Sequence, residues 1–315
     1  MKKLLALAAT ALVLASPAFA QSFGPLLTPA ELVIAIPAQN PLILDIRGGK
    51  TADGKTVYDA GRIPGALSAP YGRFRGPAEN PGALPPVDVL SATLQDLGVT
   101  HDRPLVIVHQ GSDETDFGSA ARVYWTLKSM GVSHLAILNG GVTAWQSAKL
   151  DLTTTPTAVT ASTEPFTFSS QWMATAEDVL KVVNGETKAK LVDARPESFW
   201  NGEEAHAAAA RPATLPQSQL FTHSRWFSSN PALIDAAGAK ALAQSGGYAP
   251  TDSLVSFCNT GHWAATNWFA LSELAGIENV KLYPESMVGW SNAGLPMDHV
   301  PGPFRRLWLS FKGVF

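Results

Sequence analysis

The sequence predicts an α/β protein of two tandem domains, each a mainly parallel sheet with helices on both faces. Two observations support this prediction: short apolar runs alternate with helical stretches, and the whole pattern occurs twice in 315 residues. Strands that alternate with helices favour parallel pairing, because a helix returns the chain between parallel strands. The length suits two domains of about 100–200 residues, and the 46% apolar content can fill two cores.

The duplication is visible in landmarks that recur at offsets of 145 to 149 residues. The first landmark is an apolar run that ends in Asp-x-Arg, the second is an apolar run that leads into a polar loop, and the third is a tryptophan beyond a later strand. A near-constant offset over several landmarks indicates a duplicated unit. The paired residues are Asp45 and Asp193, His109 and Cys258, and Trp145 and Trp290.

Each domain is predicted to contain at least three strands and three helices, from its apolar runs and its helical periodicity. The predicted strands are 42–47, 104–109 and 135–138 in the first domain (22–150), and 190–195, 253–258 and 280–283 in the second (172–300). The predicted helices are 30–36, 89–97 and 119–130, then 175–183, 231–244 and 264–275. Residues 151–171, rich in Thr, Ser and Pro, are predicted to be a linker, and residues 301–315 a C-terminal tail.

The first twenty residues have the organisation of a secretory signal peptide. Two lysines precede an apolar run at 4–15, and an A-x-A pattern ends at Ala20, after which we expect cleavage. The run is shorter than the ~20 apolar residues of a transmembrane helix. We therefore expect an exported protein without membrane anchoring, periplasmic if the source is a Gram-negative bacterium.

Charge and cysteine content exclude several classes of protein. A net charge of −3 leaves no basic surface for nucleic acid. One cysteine in the whole chain excludes an intrachain disulfide framework and a cysteine zinc cluster. No metal or cofactor site is predicted. Two complete domains need no partner to cover their cores, so we expect a monomer.

The single cysteine, Cys258, lies where this fold places its ligands. Parallel sheets bind ligands beyond the carboxyl ends of their strands, and the strand at 254–257 leads directly into Cys258, with a helix beginning near Ala264. The first N–H groups of a helix lack internal partners and can form an anion cradle that stabilises a thiolate. Gly261 permits the unusual backbone of such a tight turn. Cys258 is therefore the predicted nucleophile.

Several motifs together resemble the tandem-domain rhodaneses, a family of sulfurtransferases. Cys258-x-x-Gly261 before a helix resembles the family's active loop, and Asp193-Ala194-Arg195 resembles its Asp-x-Arg strand end. Residues 58–66 resemble its Gly-His-Ile-Pro-Gly-Ala segment, with Arg62 in place of the histidine. The segments that lead to Trp145 and Trp290 resemble the last strand-to-helix unit of each domain.

The resemblance implies a cofactor-free sulfurtransferase that works through a persulfide on Cys258. A small donor such as thiosulfate would load the sulfur, and a thiophilic acceptor such as cyanide, a thiol or another protein would remove it. The resemblance also implies a supporting role for Asp193 and Arg195. It assigns substrate binding to the loop residues Asn259, Thr260, Gly261, His262, Trp263 and Ala264.

The first domain is predicted to be non-catalytic. His109 replaces the cysteine, and the following loop is five residues longer and acidic, with Asp113, Glu114 and Asp116. Negative charges oppose a thiolate and an anionic donor, so this domain is expected to wall the site at the domain interface. Residues 113–116 are expected to form a solvated surface turn, with docking of a basic partner as a further hypothesis.

The identity of the donor stays open, because the loop contains no permanently charged cation. His262 is expected to be partly cationic near neutral pH, and Trp263 and Trp200 are candidates to line a pocket for a less charged persulfide donor. Two other functions are alternatives to sulfur transfer with turnover. A phosphatase needs an arginine where Ala264 stands, and a persulfide carrier or binding module without turnover is compatible with the same loop.

Overall fold

The computed structural model describes residues 23–228, 231–311 and 313. The predicted signal peptide therefore lies outside the described residues. The chain forms two α/β domains, each with its own parallel sheet. The strand order is β1-β5-β4-β2-β3 in the first sheet and β7-β6-β8-β9 in the second. The predicted fold class is confirmed.

The first domain carries five strands and five helices. Its strands are β1 (Leu26–Leu27), β2 (Leu42–Asp45), β3 (Ala66–Ser68), β4 (Leu105–Val108) and β5 (Leu135–Leu138). Its helices are α1 (Pro29–Gln39), α2 (Val57–Ala60), α3 (Val87–Asp96), α4 (Phe117–Ser129) and α5 (Gly141–Ser147). Every residue of β4 is buried, as expected for a central parallel strand with helices on both faces.

The second domain repeats this plan with one strand fewer. Its strands are β6 (Lys190–Asp193), β7 (Gln219–Leu220), β8 (Ser253–Phe257) and β9 (Asn279–Leu282). Its helices are α6 (Ala176–Val183), α7 (Glu197–Trp200), α8 (Ala236–Ser245), α9 (Trp263–Phe269), α10 (Ser286–Asn292) and α11 (Pro303–Phe311). A π turn (Ala270–Leu274) extends α9. In the described residues, no helix is long and apolar enough to cross a bilayer.

The predicted core elements were found close to their expected bounds, with one clear difference. The helix expected from residue 231 begins at Ala236, because the Asp235 carboxylate accepts a hydrogen bond from the Gly238 N–H and caps the helix there. The edge strands β1, β3 and β7 were not predicted. They contain only two or three residues each, too few to show a pattern.

The register of the sheets brings the chemistry-bearing residues to one edge. Asp193 pairs with Phe257 in the second sheet, and Asp45 pairs with Val108 in the first. The residues that come directly after each pair therefore lie side by side, at the carboxyl ends of the strands. In the second domain these include Arg195 and Cys258.

The two domains pack through the helices that follow their equivalent strands, α4 and α9. The Tyr124 and Phe269 rings meet edge to face at 5.0 Å, and Phe117 contacts Phe269 at 5.6 Å. At the far end of α4, the Lys128 ammonium forms an ion pair with Glu273 at 2.7 Å. Residues from both domains thus share one apolar cluster, and the first domain lies directly against the loop that begins at Cys258.

Candidate active site

Cys258 follows β8 and is almost completely buried, with 1% of its surface exposed. Its N–H donates to the Ser286 hydroxyl at 3.0 Å, and its carbonyl accepts from the Met287 N–H at 3.1 Å. The next carbonyl, that of Asn259, accepts from the Val288 N–H at 3.0 Å. The first residues of α10 therefore hold Cys258 and Asn259, the first two residues of the loop. Ser286 was not singled out from the sequence, where it appeared only inside a family-like segment.

The loop turns so that several of its N–H groups are unpaired. Within the described part of the chain, the N–H groups of Asn259, Thr260, Gly261 and His262 make no hydrogen bond. Gly261 adopts φ +66°, a conformation that favours glycine. A Cβ at this position would also overlap the Arg122 guanidinium and the Pro284 carbonyl. These free donors beside a cysteine can stabilise a negative charge on sulfur.

Three other residues predicted to bind substrate, Asn259, Thr260 and Ala264, are buried. Asn259 and Thr260 are buried with 6% and 7% of their surface exposed, and Ala264 is completely buried in the first turn of α9. The Ala264 carbonyl accepts from the Ser256 hydroxyl at 2.9 Å. Ala264 therefore contributes a backbone position to the helix start and offers no side chain that could bind an oxyanion.

Asp193 and Arg195 form a buried brace behind the loop. The Arg195 guanidinium donates to the Asp193 carboxylate through Nε at 2.9 Å and Nη2 at 2.6 Å. Its Nη1 donates to Asn259 Oδ1 at 3.3 Å. In the first domain, Arg47 makes the equivalent contacts to Asp45 and to Gln110 Oε1. This pair supports the loop through Asn259.

The surroundings of His262 favour the neutral imidazole at pH 7, contrary to the expected partial charge. Its Nε2–H donates to the Thr115 carbonyl at 2.7 Å, and its Nδ1 therefore accepts from the Tyr71 hydroxyl at 3.0 Å. Burial, together with the nearby Arg75 cation, lowers the pKa of His262 to about 4. Both partners of the ring belong to the first domain, which was not visible from the loop sequence.

The aromatic residues near the loop differ from the expected pair. The Trp263 ring stacks on His223 with centroids 4.9 Å apart, and its Nε1 donates to Thr115 Oγ1 at 3.3 Å. Phe199 contacts the Trp263 ring at 5.9 Å. Trp200 instead packs against His299 at 4.0 Å, because it lies one position further along α7. Phe199 thus occupies the place expected for Trp200.

Two cations reach the loop from the first domain, although the loop itself has none. Arg75 Nη1 donates to the Thr260 carbonyl at 2.9 Å, and Arg122 Nη1 donates to the Gly261 carbonyl at 3.3 Å. Burial and the neighbouring Arg75 lower the pKa of Arg122 to about 9, which leaves it protonated at pH 7. No local pattern could reveal these contacts, since the partners lie 185 and 139 residues apart in sequence.

The equivalent position in the first domain holds a His–Asp pair. His109 is completely buried, and its Nδ1 contacts Asp116 Oδ2 at 2.9 Å. Burial opposes ionisation of Asp116, but hydrogen bonds from His109, Gly111 and Ser112 outweigh it, and the pKa is lowered. Asp116 is therefore only partly exposed and bound to His109, whereas Asp113 is exposed, as expected for a solvated turn. A cleft of about 590 Å³ opens beside this pair.

No group of three or more His, Cys, Asp or Glu side chains among the described residues is arranged to bind a metal ion.

Comparison with known proteins identifies a family-model match in both domains. The model for the rhodanese-like domain matches residues 28–148 and 175–293. A putative thiosulfate sulfurtransferase of Mycobacterium tuberculosis is 28% identical over 85% of this chain and 94% of its own length. The 3-mercaptopyruvate sulfurtransferase of Escherichia coli is 27% identical over 77% of this chain and 85% of its own.

Solved structures show the same fold. The crystal structure of the Escherichia coli 3-mercaptopyruvate enzyme matches with a TM-score of 0.70 and 24% identity, over 83% of this chain and 98% of that one. A Chlorobium limicola enzyme of anaerobic ergothioneine biosynthesis matches with a TM-score of 0.75 and 18% identity, over 88% of this chain and 70% of that one.

Proposed function

The chain belongs to the rhodanese family, and from this membership we propose that it is a sulfurtransferase in which Cys258 carries the transferred sulfur. One observation carries the proposal. Cys258 lies at the end of β8 beneath a loop whose N–H groups at 259–262 are unpaired among the described residues. Such donors suit an anionic sulfur better than a neutral side chain.

The proposed reaction has two half-reactions. In the first, the Cys258 thiolate attacks the outer sulfur of thiosulfate; the S–S bond breaks, and sulfite leaves with the electron pair. With 3-mercaptopyruvate, the C–S bond breaks instead, and the resulting enolate takes a proton to give pyruvate. In the second, cyanide or a thiolate attacks the outer sulfur of the persulfide, and Cys258 leaves as the thiolate.

The surroundings of the loop bear on the choice of donor. The neutral His262 supplies no charge, and the guanidinium groups of Arg75 and Arg122 are engaged by loop carbonyls. The rings of Trp263 and Phe199 add apolar surface beside the loop. We therefore expect 3-mercaptopyruvate or a more apolar persulfide to load sulfur faster than the doubly charged thiosulfate.

The test is the intact mass of the purified protein before and after each donor, and again after cyanide. A gain of one sulfur atom that cyanide removes is the expected result, and Cys258→Ser should show no gain while keeping its fold. Sulfur uptake by Cys258→Ser would contradict the mechanism. A wild-type protein that gains no sulfur from thiosulfate, 3-mercaptopyruvate or an organic persulfide would contradict the function.

The burial of Cys258 favours one second candidate, a persulfide carrier without rapid turnover. Only 1% of the Cys258 surface is exposed, so discharge would be slow unless a specific acceptor displaced the residues that cover it. Stable loading combined with slow discharge to cyanide and to small thiols would support the carrier, whereas repeated turnover with either acceptor would support the enzyme.

We also propose that the reaction takes place after export. The support is the signal-peptide pattern of residues 1–20. Fractionation of the source cells should recover a chain that begins at Gln21 outside the cytoplasm. An unprocessed chain in the cytoplasm would contradict this proposal.

A further inference from the structure

Two arginines of the first domain bind the outer side of the active loop. Arg75 follows the short 3₁₀ turn Tyr71–Phe74, and Arg122 lies in α4. Each donates to a loop carbonyl, Arg75 to Thr260 at 2.9 Å and Arg122 to Gly261 at 3.3 Å. These carbonyls belong to two successive peptide groups.

The geometry of the peptide group links these contacts to the cradle. In a trans peptide the C=O and the following N–H point in opposite directions. A guanidinium that fixes the Thr260 carbonyl therefore fixes the Gly261 N–H on the opposite side, and the same relation joins the Gly261 carbonyl to the His262 N–H. Both N–H groups are unpaired in the described structure. The arginines thus determine which way two cradle donors face.

Arg122 donates to backbone carbonyls and, among the described residues, forms no ion pair with a carboxylate. Arg122 is completely buried, and its Nη2 donates to the Gly82 carbonyl at 2.8 Å. Its buried Nε has no partner within the described residues. Burial and Arg75 lower the pKa of Arg122, whereas Tyr71 and Cys258 raise it. A buried cation without a counter-charge is costly, and an anionic sulfur on Cys258 would relieve that cost.

The absence of a side chain at residue 261 completes the arrangement. Any Cβ there would overlap the Arg122 guanidinium. The close approach of Arg122 to the loop therefore depends on Gly261, and the donor geometry of the loop depends in turn on Arg122.

Building on the proposed function, we propose that Arg75 and Arg122 are positioning residues for sulfur transfer. They aim the Gly261 and His262 N–H groups at the sulfur on Cys258 by holding the two loop carbonyls on the opposite side. In this view the domain without a cysteine completes the active site through its arginines.

The test measures single-turnover sulfur loading from 3-mercaptopyruvate and thiosulfate in wild type, Arg75→Gln, Arg75→Lys, Arg122→Lys and Arg73→Gln. Arg73 is the matched control, since it lies in the same turn and forms only a distant pair with Asp96 at 3.8 Å. We expect Arg75→Gln to lower the maximal loading rate constant by about tenfold or more, with the half-saturating donor concentration changed less than about threefold, because the cradle acts on the developing charge. Arg75→Lys should recover part of the rate, and Arg73→Gln should match wild type.

The outcomes separate this inference from the function on which it rests. A wild-type protein that loads sulfur, with Arg75→Gln loading equally fast, overturns the inference alone. A fall in Tm for Arg75→Gln without a change in the loading rate at 25 °C also overturns it, since that result assigns a merely structural role. A wild-type protein that loads no sulfur overturns the function and this inference with it. Arg75 is only partly buried, so its variants remain informative if Arg122→Lys does not fold.

Discussion

The Tyr71 hydroxyl of the first domain donates a hydrogen bond to Nδ1 of His262 in the loop of the second, with the two atoms 3.0 Å apart. Because the Nε2–H donates to the Thr115 carbonyl, the imidazole has one defined tautomer and both its nitrogens are used. His262 therefore joins the active loop to the first domain.

Tyr71→Phe should destabilise the protein by leaving Nδ1 of His262 without a donor. We expect the free energy of unfolding to fall by about 1–3 kcal/mol, the cost of one unsatisfied polar group. Urea unfolding measures this change. Tyr248→Phe is the control, because the Tyr248 ring is also buried but its hydroxyl lies outside the loop contacts. Equal losses in the two variants would contradict the importance of the Tyr71 contact.

The depressed pKa of His262 predicts a pH dependence of stability. Its pKa is about 4 in the folded protein against 6.5 ordinarily. Below pH 6.5 the unfolded chain therefore binds a proton that the folded chain refuses, and stability is lost as the pH falls toward 4. His262→Gln should flatten the stability profile between pH 6.5 and 4, as measured by urea unfolding at each pH.

The control for this profile is His134→Gln, which replaces an exposed histidine and should leave the slope as in wild type. The same pKa predicts that donor KM shows no titration of His262 between about pH 5.5 and 8. A KM change in that range that disappears in His262→Gln would show that the imidazole does ionise there.

Ser286→Ala should weaken both the fold and sulfur loading. The buried Ser286 hydroxyl accepts from the Cys258 N–H and donates to the Tyr283 carbonyl at 2.8 Å. Its removal leaves a buried N–H unsatisfied, at a cost of about 1–3 kcal/mol, and loosens Cys258, the proposed carrier of the sulfur. Ser147→Ala, in the equivalent helix α5 but exposed, should change neither quantity. Wild-type loading by Ser286→Ala would contradict this prediction.

Gly261→Ala and Gly65→Ala form a matched pair that separates backbone conformation from close packing. Both glycines have positive φ, +66° and +84°, but a Cβ at Gly65 meets nothing within 4 Å. Gly65→Ala should cost about 1–2 kcal/mol. Gly261→Ala should cost more and abolish sulfur loading, because its methyl group displaces Arg122 or Pro284. Similar thermal unfolding of the two variants would show that packing at residue 261 is unimportant.

The parts of the site that were predictable are those encoded within one short segment. The Cys258 loop and the Asp193–Arg195 brace each lie within a few residues at a strand end, where strand, turn and helix patterns identify them. The contacts of Tyr71, Arg75 and Arg122 come from the other domain, and only the packing of α4 on α9 brings them to the loop.

The charge of His262 could not be predicted from the sequence either, because it depends on contacts with the other domain. A histidine in an isolated loop has an ordinary pKa, and no pattern around residue 262 indicates burial beside a cation. The packing of the two domains buries His262 and brings it near Arg75. Both effects lower the pKa of His262, contrary to the expected partial charge. The short strands β1, β3 and β7 were missed for a different reason, since pairing to a neighbour defines them more than their own two or three residues do.

The Asp45–Arg47 brace has kept its geometry in a domain that has no cysteine. Arg47 donates to Gln110, the residue after His109, as Arg195 donates to Asn259, the residue after Cys258. The same brace thus occurs in one domain with a cysteine at this position and in one without. Its geometry does not depend on the cysteine, so support of the loop and the reactive group are separable features of this fold.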